Sequence, residues 1–350
     1  MQSALYPLKF LPLYKHVIWG GNRLKDYGFN YDPLPNCGEL WALSSVEGHE
    51  SVVANGFLAE NTLNEAIEIY MGDLVGDKVF NRYGTEFPLL VKLIDAARDL
   101  SIQVHPDDTL AQQRGMPRGK TEMWYVMQAD PEAQLISGFR HDTTPEEYTA
   151  ALQGGHLTDL LHAERPAPGD VYFIPAGRVH ALGKGLMVAE IQQTSDCTYR
   201  IYDYDRVDQN GHKRQLHTAE AMDAIDFGAV GPHAATRYQP RRNQTVTLAV
   251  CPYFTTRLID FDQPMRKNLE EHDSFVIYLC VEGLTAVKSL ETIVPMHTGE
   301  CVLVPAVADS VELFCEGPAK LLEVTVDTSG WDDAPRDEGD WLARFVGTEA

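Results

Sequence analysis

Apolar residues in this chain gather in short runs that glycine, proline and aspartate interrupt, at residues 89–93, 123–127, 171–174, 186–191, 246–250, 275–281, 301–304 and 321–326. Runs of this length, rich in branched aliphatic and aromatic side chains and bounded by turn formers, predict strands. Helical periodicity is confined to a few places. Thr62-Leu63-Asn64-Glu65 has the form of a capping box, and Leu63, Ala66, Ile67, Tyr70 and Met71 follow at helical spacing. Thr144-Pro145-Glu146-Glu147 opens a second helix with proline in its first turn, and Gly154-Gly155 closes it. A third is predicted over 218–225. Many short strands with few helices predict a mainly β fold, a sandwich or barrel rather than a parallel α/β sheet.

The pattern also repeats. Pro168-Gly169-Asp170-Val171-Tyr172-Phe173-Ile174-Pro175-Ala176 resembles Thr298-Gly299-Glu300-Cys301-Val302-Leu303-Val304-Pro305-Ala306 at a constant offset of 130. Both copies read as a turn glycine, an acidic residue, a short strand and Pro-Ala. Duplication of a barrel accounts for this better than chance. At the same offset His180 falls on Ser310, so the second copy keeps the turn and strand but not the histidine. Gly231-Pro232-His233 and the polar Arg241-Arg242-Asn243-Gln244 break the apolar pattern between the copies. They place a boundary that gives domains 1–235 and 236–350. The tail from Asp327 is acidic and carries Trp331 and Trp341, and is expected either to pack at its end or to fray.

Composition changes the picture mainly by exclusion. With 350 residues, 44% of them hydrophobic and 23% charged, the chain has the make-up of a globular protein with room for two domains. Residues 1–15 lack the basic segment and apolar core of a signal peptide, and no apolar stretch has the length of a membrane span. The six cysteines form no CxxC pair, and several lie in strand-like runs, so buried free thiols in a reducing cytoplasm are expected. A formal charge of −22 argues against nucleic acid and anionic membranes as partners. It leaves room for a small anionic substrate, because Lys92, Arg98, Arg114, Arg118, Lys120, Arg178 and Arg200 can dominate the field of one cleft.

The candidate chemistry lies in Gln103-Val104-His105-Pro106, Lys120-Thr121-Glu122 and Pro175-Ala176-Gly177-Arg178-Val179-His180. On a strand, Gln103 and His105 share a face. Two imidazoles and a carboxylate at strand edges can converge on one divalent ion if their strands are neighbours. A nitrogen and oxygen set without thiolate suits zinc, iron, cobalt or manganese. Alone, each histidine is more often a satisfied structural residue. The combination, with the Pro-Gly-Asp-strand-Pro-Ala preamble to His180, favours a metal site, and the order of these motifs resembles that of metal-binding cupin barrels.

The resemblance narrows further. Leu100-Ser101-Ile102-Gln103-Val104-His105-Pro106, Lys120-Thr121-Glu122, Pro175 to Ala181 and Ser195-Asp196-Cys197-Thr198-Tyr199-Arg200 together resemble the type I mannose-6-phosphate isomerase family, and Trp19-Gly20-Gly21 and Gly38-Glu39-Leu40-Trp41 fit it as well. The likeness extends to about Asp205 and is looser in the second copy. It implies two cupin-type β-barrels, or jelly-roll sandwiches, with the metal site in the N-terminal one. It also implies a metal, zinc above all, held by Gln103, His105, Glu122 and His180, and a catalytic arginine at Arg200. The 58-position interval between Glu122 and His180 leaves no room for the helical domain of longer members, so the chain is similar to the compact bacterial form, in which Gln103 is the outlying ligand.

The mechanism that the resemblance implies is an aldose–ketose isomerisation of mannose 6-phosphate and fructose 6-phosphate through a cis-enediol. Lys120, two residues from Glu122, is either a proton shuttle or a phosphate contact. Glu190 is a candidate base or an outward strand residue. Ser101 and Lys92 are candidate phosphate contacts, and Asp196 either orients Arg200 or caps a turn. A dioxygenase, a phosphoglucose isomerase and a non-catalytic sugar-binding bicupin are the rival readings. The partner is a small sugar phosphate, and the assembly a monomer or homodimer.

Overall fold

The computed structural model describes residues 5–207, 211–230, 235–270, 272–329 and 331. They form two compact units, one made of residues 12–46 and 89–237, the other of residues up to 11, 47–88 and from 238 onward. The sequence division into 1–235 and 236–350 treats each domain as one continuous stretch. The structure instead groups residues 5–11 and 47–88 with the C-terminal strands. Leu8–Lys9 pairs with Cys301–Val304, and the Phe87 ring packs on Phe275 at a centroid separation of 4.3 Å. The Gly231-Pro232-His233 part of the expected boundary and the tail beyond Trp331 lie outside the described residues.

The first unit is a sandwich of two antiparallel sheets. One runs in the order Ala235–Thr236, Val171–Ile174, Glu122–Ala129, Leu186–Gln193, Leu89–Ala96, Glu39–Leu43, Leu13–Lys15. The other runs Leu161–Glu164, Leu135–Phe139, His180–Leu182, Ile102–Val104, Tyr199–Tyr202. Trp124, Val126, Tyr172, Ile174 and Val188 of the first sheet pack against Leu135 and Leu182 of the second, which places the core between the sheets. The outer face of the smaller sheet is covered by the helices Pro145–Gln153 and Thr218–Ala224, through Tyr148, Ala151 and Ala221.

The second unit repeats this plan. Its larger sheet runs Leu8–Lys9, Cys301–Val304, Val276–Glu282, Ala319–Thr325, Thr255–Phe261, Gln244–Val250, and its smaller one Met265–Asn268, Ser310–Cys315, Leu284–Ser289, Thr292–His297. The shared strands follow the same order as in the first unit, with Leu13–Lys15 unmatched beyond Gln244–Val250 among the described residues, so the repeated motif marks duplication of a whole jelly-roll sandwich rather than of one turn. Both units are sandwiches of open sheets, not closed barrels. Two differences stand out. The strand Tyr199–Tyr202, at the edge of the first unit's smaller sheet, has no counterpart beside Met265–Asn268 among the described residues. And the inward residue that answers His180 is Val311, a core residue, rather than its neighbour Ser310.

Most local signals in the sequence act as expected; Met71, expected on the helical stripe, is instead exposed and breaks the helix geometry with φ +47. Thr62 and Glu65 close a reciprocal capping box at the start of Leu63–Val75, and the Thr144 side chain accepts from Glu147 N at the start of Pro145–Gln153. Two helices without strong sequence signals also form, Asp77–Tyr83 and Asp108–Gln113. Among the described residues no helix is long and apolar enough to cross a membrane.

The turn before His180 depends on Gly177, which has φ +88 and donates its N–H to the His105 carbonyl at 2.9 Å. A Cβ at this position would stand 3.2 Å from Ala224 O and from Asp226 Cβ. Gly177→Ala is therefore expected to lower stability by about 1–2 kcal/mol, from the left-handed backbone alone, seen as an earlier urea-unfolding midpoint at unchanged m-value. An unchanged midpoint would show that the turn relaxes freely.

Candidate metal centre

Antiparallel pairing brings the candidate residues into rows, because residues directly opposite one another share a sheet face. Across the smaller sheet, Ser137, His180, Gln103 and Arg200 are successive partners. On the larger sheet one row runs Ile174, Glu122, Gln192, Leu90, and the next runs Tyr172, Trp124, Glu190, Lys92, Trp41. These rows face each other across the sandwich. The Trp124 ring meets His180 edge-on with centroids 5.4 Å apart.

His105, Glu122 and His180 are all buried, and their ligand atoms lie within 4.8 Å of one another. Glu122 Oε2 is 3.5 Å from His105 Nε2, and its Oε1 is 3.4 Å from His180 Nε2. His180 Nδ1 donates to the Arg178 carbonyl at 2.8 Å, which fixes the tautomer and turns the Nε2 lone pair toward Glu122. The Gln103 amide donates to that same Nε2 at 3.2 Å, and Gln103 Oε1 accepts from Ser101 Oγ at 3.4 Å. Gln103 thus stands next to the trio with its amide nitrogen, not its oxygen, toward the centre.

Two loops hold these side chains in place. Lys120 N donates to the Pro106 carbonyl at 3.0 Å. Asp108 Oδ1 accepts from Gly119 N at 2.8 Å and from Gln193 Nε2 at 2.9 Å, while Gln193 Oε1 accepts from Thr121 N at 2.8 Å. Asp108 and Gln193 were not singled out by sequence reasoning. Their role follows from long-range loop contacts that carry no motif.

Lys120 lies in the loop that precedes the strand Glu122–Ala129. Its ammonium is buried, 3.1 Å from Glu122 Oε2 and 3.2 Å from His105 Nε2. Burial would raise the Glu122 carboxyl, but Lys120 and the two imidazoles outweigh it and hold the group well below its ordinary range. Burial, and then the Lys120 charge, pushes the His105 imidazole down to about 3. Burial likewise lowers His180, against the pull of Glu122. The centre is therefore a carboxylate with two neutral imidazoles, the protonation state that a metal requires of its ligands.

Lys92 does not present a free charge to a phosphate. Its ammonium is buried between Glu190, at 3.4 Å, and Glu39, at 3.6 Å, and these carboxylates outweigh burial to hold it above its ordinary range. Glu190 points inward, where Trp124 Nε1 donates to it at 3.0 Å, and burial followed by the Glu122 charge raises its carboxyl. Glu39 accepts from Trp41 Nε1 at 2.7 Å. Arg200 donates through Nη1 to the Gln215 carbonyl at 2.8 Å. The carboxylate that acts on it is Asp203, paired with Arg206 and Arg214, whereas Asp196 is exposed.

The donor set fits a divalent ion. Among the described residues neither oxygen of Glu122 accepts a hydrogen bond, although both are buried, and His105 Nδ1 is likewise unsatisfied. Buried polar atoms without partners are uncommon and ask for an explanation. A cation among His105 Nε2, Glu122 and His180 Nε2 supplies one for the carboxylate, with ligand types that suit zinc and its neighbours.

Comparison with known proteins agrees with this centre. Residues 8–158 match the type I phosphomannose isomerase catalytic domain, and residues 244–326 the mannose-6-phosphate isomerase cupin domain. Mannose-6-phosphate isomerase ManA of Bacillus subtilis is 36% identical over 304 residues, covering 85% of this chain and 93% of that protein. The mannose-6-phosphate isomerase of Streptococcus mutans is 39% identical over 240 residues, covering 68% and 73%. The crystal structure of mannose 6-phosphate isomerase from Bacillus subtilis superimposes with a TM-score of 0.79 at 33% identity, over 91% of this chain and 99% of that one. A phosphomannose isomerase structure from Salmonella typhimurium, at 18% identity and a TM-score of 0.73 over 92% and 100% of the two chains, shares the fold. With two sandwiches, an inward His/Glu/His centre and relatives matched over most of their length, this chain belongs to the type I phosphomannose isomerase family.

Proposed function

We propose that this chain is a metal-dependent aldose–ketose isomerase that interconverts mannose 6-phosphate and fructose 6-phosphate through a cis-enediol. The observation that carries the reading is the convergence of His105, Glu122 and His180 inside the first sandwich, in a chain whose relatives bear that name. The first unit is the catalytic domain in this reading and the second is a degenerate copy. His105, Glu122 and His180 would hold the ion, for which we favour zinc, with Gln103 able to join only after its amide turns. When bound, the ion supplies Lewis acidity for charge that develops on the substrate's adjacent oxygens. The six free thiols, four of them buried, support a cytoplasmic setting.

The chain's own groups do the rest. Arg200, in the row of His180 and Gln103, brings a fixed positive charge to the enediolate. Lys120, whose ammonium lies 3.1 Å from Glu122 and 3.2 Å from His105, would hold or move a proton at the reacting carbons. We keep Ser101 as a phosphate contact. Lys92 we reassign to a positioning role, in which it balances Glu39 and Glu190 so that Trp124 stays braced against His180.

Chelator-treated protein is expected to lose isomerase activity and to regain it with zinc, while His180→Ala stays inactive with either treatment in a coupled assay for fructose 6-phosphate. Activity that survives chelation with no metal left by elemental analysis would sink the metal-dependent reading. Arg200→Ala is expected to lower kcat by about 100–1,000-fold, the usual loss for one preorganised charge at a developing oxyanion. Lys120→Met is expected to lower kcat by roughly 100–10,000-fold with little change in KM. A raised KM with kcat preserved would return Lys120 to the phosphate.

A further inference from the structure

The second sandwich retains the first one's interior row but not its ligands. The row Tyr172, Trp124, Glu190, Lys92, Trp41 is answered, pairing for pairing, by Val302, Tyr278, Glu323, Arg257, Thr247. A buried glutamate sits in the middle of each. Trp124 donates to Glu190 at 3.0 Å and Tyr278 to Glu323 at 2.9 Å, and a cation stands on the other side, Lys92 at 3.4 Å in one and Arg257 at 3.7 Å in the other. The ligand positions are apolar: Glu122 corresponds to Val276 and His180 to Val311. Lys267, the register partner of Val311, pairs with Glu323 instead.

A cavity of about 470 Å³ opens at the end of this sandwich that corresponds to the metal centre, with Thr247, Thr255, Arg257, Thr325, Lys78 and His272 among its lining residues. Thr325 and Thr255 occupy the positions of Gln192 and Leu90 beside the first centre. Its volume is that of a small-molecule site. The neighbouring carboxylates are engaged: Asp273 accepts from Asp77 N at 2.7 Å and Lys78 N at 3.0 Å. Asp327 accepts from Ser329 N at 2.9 Å and from its hydroxyl, and Glu323 is held by Lys267 and Tyr278. Of the cations that line the cavity, Lys78 donates to the Thr328 carbonyl at 3.5 Å, and the Arg257 guanidinium, 3.7 Å from Glu323, donates to Thr325 Oγ1 at 3.2 Å amid hydroxyls. A guanidinium recognises phosphate in a bidentate manner, and hydroxyls recognise polyols.

We propose that the second unit carries its own, metal-free site for a small hydroxylated phosphate ester of the sugar-phosphate class, with Arg257 as its anion contact. The choice of ligand class rests on the isomerase reading of the first unit; the location does not. The test is calorimetric titration of the zinc-loaded full chain with glucitol 6-phosphate, which cannot isomerise. Two sites per chain are expected, one weakened about tenfold or more by Arg257→Gln, as expected for loss of a charged hydrogen bond, and the other weakened by Arg200→Ala. One site, lost in Arg200→Ala and untouched by Arg257→Gln, would overturn the proposal. One site that depends on Arg257 alone would uphold it and count against the catalytic reading of Arg200. Equal displacement by inorganic phosphate would overturn the sugar-phosphate class. If Arg257→Gln does not fold, Thr325→Val is the second variant: it is expected to weaken the same site, and an unchanged isotherm would overturn the assignment.

Discussion

A fully buried carboxylate governs the first sandwich. Glu122 is shut off from solvent and, among the described residues, accepts no hydrogen bond, and an ionised group in that position is costly unless cations compensate it. Lys120 is the compensation the chain itself supplies, and the two neutral imidazoles complete a cage that favours a further positive charge. Much of the surrounding architecture can be understood as holding these groups at that spacing. Strand register sets His180 opposite Gln103, Gly177 ties its turn to His105, and Asp108 with Gln193 pins the loop that delivers Lys120. Below the centre, Glu190 and Lys92 form a second charged layer that rests on the apolar core.

Much of the fold was legible in the sequence because its signals are local. Val171–Ile174 and Cys301–Val304 are bounded by turn glycines and prolines, so their limits were readable to the residue. Other strands extend beyond the apolar run. Glu122–Ala129 begins with a charged residue and Ala319–Thr325 includes Lys320 and Glu323, polar residues that pattern reasoning excludes from buried strands. The grouping of 47–88 with the C-terminal strands was not readable. It depends on contacts between residues nearly 200 positions apart, such as Phe87 with Phe275 and Asp77 with Asp273, which leave no trace in local periodicity.

The site divides along the same line. His105, Glu122 and His180 were identified from motif spacing and family likeness, and the structure brings them together. Lys92 shows the limit. A lysine in a strand near a candidate site looks like an anion contact until its cross-strand partners are known, and here those partners are two carboxylates. Glu190 could not be turned inward or outward from alternation alone, since every position of Leu186–Gln193 is buried. Asp108 and Gln193 carried no signal, because their contacts join loops rather than neighbours in sequence.

Lys267 has a consequence for how the protein depends on its surroundings. In the second sandwich the positive charge that satisfies the interior glutamate is part of the polypeptide and is delivered by translation. The first keeps the matching pair, Glu190 with Lys92, and adds Glu122, whose counterpart is Val276 and whose own partner is Lys120 beside the His105 and His180 imidazoles. The repeated halves therefore differ in where interior charge can come from: the second draws it from its own side chains, and the first also offers a place for an ion taken from its surroundings.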